Sequence, residues 1–220
     1  MDGHATFPLE LEEFFLSCKN KLKKPFDDSP KCRKEWQELV DTYERNWSSS
    51  GGVVFHIVSI SFDNTSSTLK CVRYQIGDCN SIFISNGVKM PLMYRHNIFQ
   101  MEELQRVMPY IENGRVGNVL SCTRVLGNKD LKEKLPDSLL TPRFLVETST
   151  FSLNKDDSKG MFICGTDGIM SSTKCLQWLQ KVKCKNMNCI QLADECMNRT
   201  GKEDNVSFII IEFLYLSISV

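Results

Sequence analysis

Two runs of strand-forming residues constrain the fold of this chain more than any other feature of its sequence. Residues 53–62 and 69–76 are rich in β-branched and aromatic side chains, and residues 63–67 between them carry a turn signal. Neighbouring strands joined by a short turn pair in antiparallel fashion. The sequence therefore predicts an antiparallel sheet in the first half of the chain.

The sheet is predicted to continue as a meander. A strand over 81–85 is followed by Asn86-Gly87, a dipeptide typical of a tight hairpin turn, and by a return strand over 88–94. Apolar side chains at helical or alternating spacing predict helices over 9–22, 31–47, 100–108, 172–182 and 188–200, and strands over 161–164 and 206–213. Strands gathered between helices favour an α+β fold, and a single domain over residues 1–220 is predicted.

The composition excludes several classes of partner. The 27 basic and 27 acidic side chains cancel, and no basic stripe indicates nucleic acid or an anionic membrane as a partner. The first residues show no secretory pattern, and the longest apolar stretch, 208–216, contains Glu212 and is too short to cross a bilayer. The ten cysteines are therefore interpreted as reduced thiols, and we expect a cytoplasmic or nuclear location.

Four short acidic motifs each place an aspartate in a turn beside a predicted strand. They are Asp2-Gly3-His4, Gly77-Asp78, Thr166-Asp167-Gly168 and Glu203-Asp204-Asn205. Taken singly, each is typical of an ordinary turn, because Asp caps backbone amides and Gly tolerates a positive φ. Taken together, aspartates at the ends of neighbouring strands can meet at one sheet edge, where carboxylate oxygens hold a hard divalent cation. The residues alone leave both interpretations open.

The order of six motifs resembles the metal-dependent Ser/Thr protein phosphatase family of the PPM type, class 2C. The motifs are residues 2–4 (DGH), 50–53 (SGGV), 77–80 (GDCN), 123–128 (TRVLGN), 167–169 (DGI) and 201–206 (GKEDNV). The resemblance covers essentially the whole chain. It implies a four-layer α-β-β-α sandwich of two antiparallel sheets flanked by helices, lacking the family's first strands. It also implies metal-dependent hydrolysis of phosphoserine or phosphothreonine in a phosphoprotein substrate.

The resemblance further implies a set of metal ligands. Asp2 would bridge two Mg²⁺ or Mn²⁺ ions, and the Gly3 carbonyl would bind one of them. Asp167 and Asp204 would complete the protein ligands of the first ion. Asp78 matches the ligand of a third, weaker ion.

The catalytic groups implied by the resemblance are incomplete in this sequence. His4 matches the general acid that protonates the leaving serine or threonine oxygen. The family's phosphate-clamping arginine and one metal-binding glutamate lie on strands before the DGH motif, where this sequence has only Met1. Asn80 stands in place of an arginine, and Asn128 in place of an aspartate. The alternative is therefore a pseudophosphatase that binds a regulatory protein partner, and we expect little turnover.

The other histidines and cysteines receive no functional interpretation. Four cysteines near the end of the chain lack the paired spacing that is typical of a zinc site: Cys175, Cys184, Cys189 and Cys196. His56 lies among apolar strand residues and is interpreted as a core histidine. His96 matches a family segment only in part and is assigned no role.

Overall fold

The computed structural model describes residues 2–4, 9–23, 26–63, 65–85, 95–136, 138–152, 159–183, 186–200 and 206–214, with the backbone alone for residues 2–4 and 214. Its helices are α1 (Leu9–Lys21), α2 (Pro30–Asn46), α3 (Met101–Val107), α4 (Lys129–Lys132), α5 (Asp167–Met170), α6 (Thr173–Leu179) and α7 (Cys189–Arg199). Its strands are β1 (Asp2–His4), β2 (Gly52–Asp63), β3 (Thr68–Ile76), β4 (Asn80–Ser85), β5 (Ile111–Glu112), β6 (Arg115–Val116), β7 (Leu126–Gly127), β8 (Leu145–Ser152), β9 (Lys159–Gly165) and β10 (Phe208–Leu214). The five predicted helices are confirmed, and so are the predicted strands outside 88–94.

The strands form three sheets within the described residues. The largest has the order β1-β2-β3-β8, with β7 also paired to β2. A second sheet has the order β10-β9-β4, and its two strand pairs are antiparallel. The short strands β5 and β6 form a separate ribbon. Antiparallel sheets combined with helices confirm the predicted α+β class.

The predicted meander is wrong at β4. Strands β2 and β3 are neighbours, as predicted, but β4 leaves their sheet and pairs with β9. Every residue of β4 is buried, so this strand lacks the alternation of apolar and polar residues that specifies one inward face. Its partner is therefore chosen by packing rather than by closeness in sequence. The Asn86-Gly87 turn and the strand over 88–94 lie outside the described residues.

The chain divides into two compact units. The first comprises Met1–Ser59, Val72–Asp78 and Tyr94–Thr148, and the second comprises Ile60–Cys71, Cys79–Met93 and Ser149–Val220. The single domain over residues 1–220 stays a prediction.

The core of the first unit is aromatic and lies between α1, α2 and one face of β2 and β3. Phe14 of α1 packs edge-on against Phe55 of β2, with ring centroids 5.1 Å apart. Helix α2 begins at Pro30, and the preceding Ser29 accepts a hydrogen bond from the Cys32 amide, which satisfies one of the amides left open at a helix start. Trp36 then lies on the buried face of α2.

The core of the second unit is aliphatic. Helices α5, α6 and α7 cover β4 and β9, and the buried side chains include Ile82, Ile163, Leu179 and Leu192. Helix α7 begins with a capping box in which the side chain of Asn188 and that of Gln191 each accept a hydrogen bond from the other's backbone. In each unit, helices therefore cover a face of an antiparallel sheet.

Strand β8 is absent from the sequence-based prediction. Its segment LVETSTFS is rich in Thr, Ser and Glu, and all its residues are half-buried or exposed, so the apolar signal is weak. No disulfide joins the nine described cysteines. Within the part of the chain that the structure describes, no helix is long and apolar enough to span a membrane.

Candidate functional site

The turn after β3 presents the first candidate aspartate. Gly77 has a φ of +88°, and a Cβ at this position would lie 2.2 Å from Val54 Cγ1. Only glycine therefore fits both the backbone conformation and the available space. Asp78 follows directly and is 4% exposed, so its carboxyl group is held inside the protein rather than at the surface.

His96 holds this turn by a reciprocal pair of hydrogen bonds. The Gly77 amide donates to His96 Nδ1 at 3.2 Å, and the His96 amide donates to the Gly77 carbonyl at 3.0 Å. The same carbonyl accepts a bond from Gln75 Nε2 at 2.9 Å. Because Nδ1 acts as an acceptor, the neutral imidazole carries its proton on Nε2.

A buried carboxylate organises the segment that follows α3. Glu103 Oε2 accepts bonds from Thr123 Oγ1 and from Arg106 Nη2. Glu103 Oε1 accepts bonds from Arg124 Nε at 3.1 Å and from Arg124 Nη2 at 3.0 Å. The Thr123 amide donates to the His96 carbonyl at 2.8 Å, which joins this cluster to the turn at Gly77.

The electrostatics of this region keep His96 neutral and Glu103 ionised. Burial lowers the pKa of His96 to about 4, and the charges of Arg124 and Arg106 act in the same direction, against that of Glu103. Burial raises the pKa of Glu103, but hydrogen bonds from Thr123, Arg106 and Arg124 outweigh it, so the pKa of this carboxyl is lowered. A neutral acceptor and a fixed negative charge therefore coexist at neutral pH.

The DGH motif lies in the sheet of the first unit. The backbones of Asp2, Gly3 and His4 form β1, which pairs with residues 52–54 of β2. On β2, Gly52 is also the partner of Gly127 in β7. The side chains of Asp2 and His4 lie outside the described part of the chain, so their roles stay predictions.

The second unit carries the Asp167 motif at the end of β9. Gly165, the last residue of β9, pairs with Asn80 of β4 and with Phe208 of β10. The Thr166 amide donates to the Ser207 carbonyl at 2.9 Å, and the Ser207 amide donates to Thr166 Oγ1 at 3.1 Å. Asp167 then begins α5. The start of β10 is therefore bonded to the turn that carries Asp167.

The oxygen donors of the candidate residues fit a hard divalent cation. Asp78 and Asp167 offer carboxylate oxygens, the ligands that Mg²⁺ and Mn²⁺ prefer. Asp204 lies outside the described residues. Among the side chains that are described, no group of three or more His, Cys, Asp or Glu is arranged to hold a metal ion. The ligand set implied by the resemblance therefore stays a prediction.

Comparison with known proteins decides the family. The family model described as protein phosphatase 2C matches residues 15–206. The chain belongs to the protein phosphatase 2C family. Among its relatives is the probable protein phosphatase 2C 47 of rice (Oryza sativa subsp. japonica), 37% identical over 99 residues, which cover 42% of this chain and 24% of the rice protein. The rice protein named probable protein phosphatase 2C 2 is 30% identical over 147 residues, which cover 62% of this chain and 38% of that protein.

Solved structures support the same fold. A phosphatase from Toxoplasma gondii aligns with a TM-score of 0.65 at 12% identity, covering 95% of this chain and 75% of the other. The serine/threonine phosphatase of S. agalactiae aligns with a TM-score of 0.61 at 13% identity, covering 97% and 85%. At these identities the likeness shows the fold alone. The matched parts of this chain span only 24% and 38% of the two rice relatives.

Glu103, Arg106 and His96 were not predicted from the sequence to belong to the region around Asp78. One signal was available for Glu103, which lies four residues before Val107 on the buried face of α3. A charged residue on the buried face of a short amphipathic helix indicates a buried ion pair. His96 had no comparable signal, because its partner Gly77 is nineteen residues away.

Proposed function

We propose that this phosphatase domain binds Mg²⁺ or Mn²⁺ through Asp167 and Asp204 and hydrolyses phosphoserine or phosphothreonine at a low rate. The observation that supports the metal site is the register of the second sheet. Asp167 lies two residues beyond the end of β9, whose last residue pairs with Phe208, and Asp204 precedes Phe208 by four residues. Two carboxylates at the same end of neighbouring strands suit one divalent cation.

The other candidate residues complete this proposal. Asp167 and Asp204 would hold a divalent cation, which would supply charge neutralisation and lower the pKa of water for attack on phosphorus. Asp2 and the Gly3 carbonyl are proposed as further ligands, and Asp78 as the ligand of a weaker ion. His4 is proposed to donate the proton to the leaving oxygen. The pairing of β1 with β2 supports these roles, because a paired strand holds its groups better than a free chain end does.

Two substitutions support the proposal that activity is low. Asn80, which stands where the family motif has an arginine, is fully buried, and its Oδ1 accepts a bond from the Ser81 amide. A buried side chain that bonds the start of β4 is poorly placed to bind a substrate phosphate. Asn128 stands in place of an aspartate and lacks the charge that attracts a cation. These observations favour, as a second candidate function, a pseudophosphatase that binds a regulatory protein.

The proposed substrate is a phosphoprotein, as the family implies. The proposed location is the cytoplasm or the nucleus. Balanced charge supports the proposal that neither nucleic acid nor an anionic membrane is a partner.

Calorimetric titration with Mn²⁺ tests the metal site. We expect the wild-type chain to bind Mn²⁺ and the Asp167→Ala, Asp204→Ala double variant to lose this binding by at least about tenfold, because two charged ligands are removed. Asp194→Ala is the matched control, since Asp194 is an exposed aspartate on α7 of the same unit. Unchanged Mn²⁺ binding in the double variant would rule out the proposed site.

The same variants separate the two candidate functions. With a small aryl phosphate and Mn²⁺ in the millimolar range, we expect turnover that is low and is abolished by Asp204→Ala. High turnover abolished by the same substitution would show a fully active enzyme. Turnover that Asp204→Ala leaves unchanged would show contamination, and the pseudophosphatase would then be favoured.

A further inference from the structure

The carboxylate of Glu103 is the centre of a buried cluster in the first unit. It receives bonds from Thr123, Arg106 and Arg124, and it lies at the packed face of α3. Two guanidinium groups surround one carboxylate, so neutralising Glu103 would leave two partly buried cations without their counter-charge. Removing the charge of Glu103 is therefore expected to disturb the local order of these segments.

A continuous chain of hydrogen bonds leads from this cluster to the turn that carries Asp78. Thr123 links to Glu103 through its hydroxyl and to the His96 carbonyl through its amide. His96 then binds both backbone polar groups of Gly77, with its imidazole Nδ1 and with its own amide. The path therefore passes through Thr123 and His96 to the residue directly before Asp78.

The turn at Gly77 depends on these bonds for its conformation. A glycine at positive φ has more backbone freedom to lose on folding than any other residue, so local preference does not keep it in place. We infer that Glu103 is a positioning residue that, through Thr123 and His96, sets the backbone of the Gly77-Asp78 turn. Only the consequence for metal binding rests on the function proposed above for Asp78.

A competing explanation is that Glu103 stabilises α3 and nothing more. Glu44 provides a matched control, because it is a second carboxylate of the same unit that binds a lysine and a backbone amide. It accepts bonds from Lys132 and from the Gly127 amide. Glu44→Gln removes a comparable ion pair without touching the path to Gly77.

Hydrogen exchange of the full chain, followed by mass spectrometry without metal, tests the positioning role. We expect peptides that contain Gly77 to exchange about tenfold faster in Glu103→Gln than in wild type, because a charge-assisted bond in the path is weakened. Glu44→Gln should leave these peptides unchanged. If Glu103→Gln speeds exchange in α3 but not at Gly77, the inference is wrong.

Variants of His96 and Thr123 make the test specific. His96→Leu should speed exchange at Gly77, whereas His96→Asn should restore protection, because the Asn Oδ1 can accept a bond near the place of Nδ1. Thr123→Val removes only the hydrogen bond from the Thr123 hydroxyl to Glu103. It replaces Glu103→Gln in this test if that variant fails to fold. Wild-type protection of Gly77 in Thr123→Val or in His96→Leu would overturn the inference.

Mn²⁺ titration then separates this inference from the proposed function. If Asp78 binds a cation, Glu103→Gln should weaken that binding about tenfold in the wild-type background and not at all in an Asp78→Asn background, since coupled residues are not additive. Mn²⁺ binding that is insensitive to Asp78→Asn, together with faster Gly77 exchange in Glu103→Gln, would reject the metal role of Asp78 and support the positioning role. The opposite result is also informative. If Mn²⁺ binding depends on Asp78 but Glu103→Gln changes neither that binding nor Gly77 exchange, the metal role of Asp78 is supported and the positioning role of Glu103 is rejected.

Discussion

At the scale of single residues, Gly77 and Gly114 differ in the space that is available for a side chain. Both have a positive φ, but an added Cβ would meet Val54 at 2.2 Å at Gly77 and nothing within 4 Å at Gly114. We expect Gly114→Ala to lower the free energy of unfolding by about 1 to 2 kcal/mol, the cost of a left-handed alanine. Gly77→Ala adds a steric clash and should cost roughly 3 kcal/mol or more.

Urea denaturation monitored by circular dichroism compares the two variants with wild type. An equal decrease in the free energy of unfolding in Gly77→Ala and Gly114→Ala would show that the clash with Val54 does not lower stability. The candidate turn itself was predicted from the sequence, because Gly-Asp is a local signal. The contact with His96 could not be predicted, because it joins residues nineteen positions apart.

At the scale of elements, α1 carries two adjacent phenylalanines with opposite environments. Phe14 is fully buried and contacts Tyr43 and Phe55 edge-on, whereas Phe15 is 56% exposed. We expect Phe14→Ala to lower the free energy of unfolding by about 3 to 5 kcal/mol, because it leaves a cavity in the core. Phe15→Ala should change it by less than about 0.5 kcal/mol. Denaturant titration of both variants checks this, and similar losses would mean that α1 packs through another face.

Element types were predicted more reliably than element partners. The helical spacing in α2 and α7 and the strand composition of β2 and β3 are local patterns, and all four elements lie where they were expected. The pairing of β4 with β9 was not expected. Every residue of β4 is buried, so its residue pattern does not predict which strand it pairs with. Strand β8 was not predicted, because most of its side chains are polar and the apolar signal is weak.

At the scale of the whole molecule, two histidines make stability depend on pH. Burial and then Arg73 lower the pKa of His56 to about 3, and burial and then Arg124 lower that of His96 to about 4. Below their ordinary value near 6.5, these groups bind protons in the unfolded chain but not in the folded one. Stability is therefore fully present above about pH 6.5 and falls as the pH decreases toward 4.

Within this window, each histidine changes the free energy of unfolding by up to about 1.4 kcal/mol per pH unit. Urea denaturation at pH 7.5, 6.5, 5.5 and 5.0 should show the loss, and His56→Gln should reduce the slope by up to that amount. The interaction with Gln75 acts against the lowering of the pKa of His56, and the charge of Glu103 acts against that of His96, without reversing either. A free energy of unfolding that is constant from pH 7.5 to 5.0 would contradict the assignment.

The sequence by itself determined the family, the α+β class and the positions of most helices and strands, because motif order and hydrophobic periodicity are properties of short segments. Of the aspartates that the sequence predicted in turns beside strands, Asp78 lies in such a turn, whereas Asp2 lies within β1 and Asp167 begins α5. Only the tertiary structure decided that β4 joins β9 and that Glu103 and His96 support the turn before Asp78. These contacts join residues far apart in the chain, and they depend on which buried faces and buried charges find partners as each unit folds.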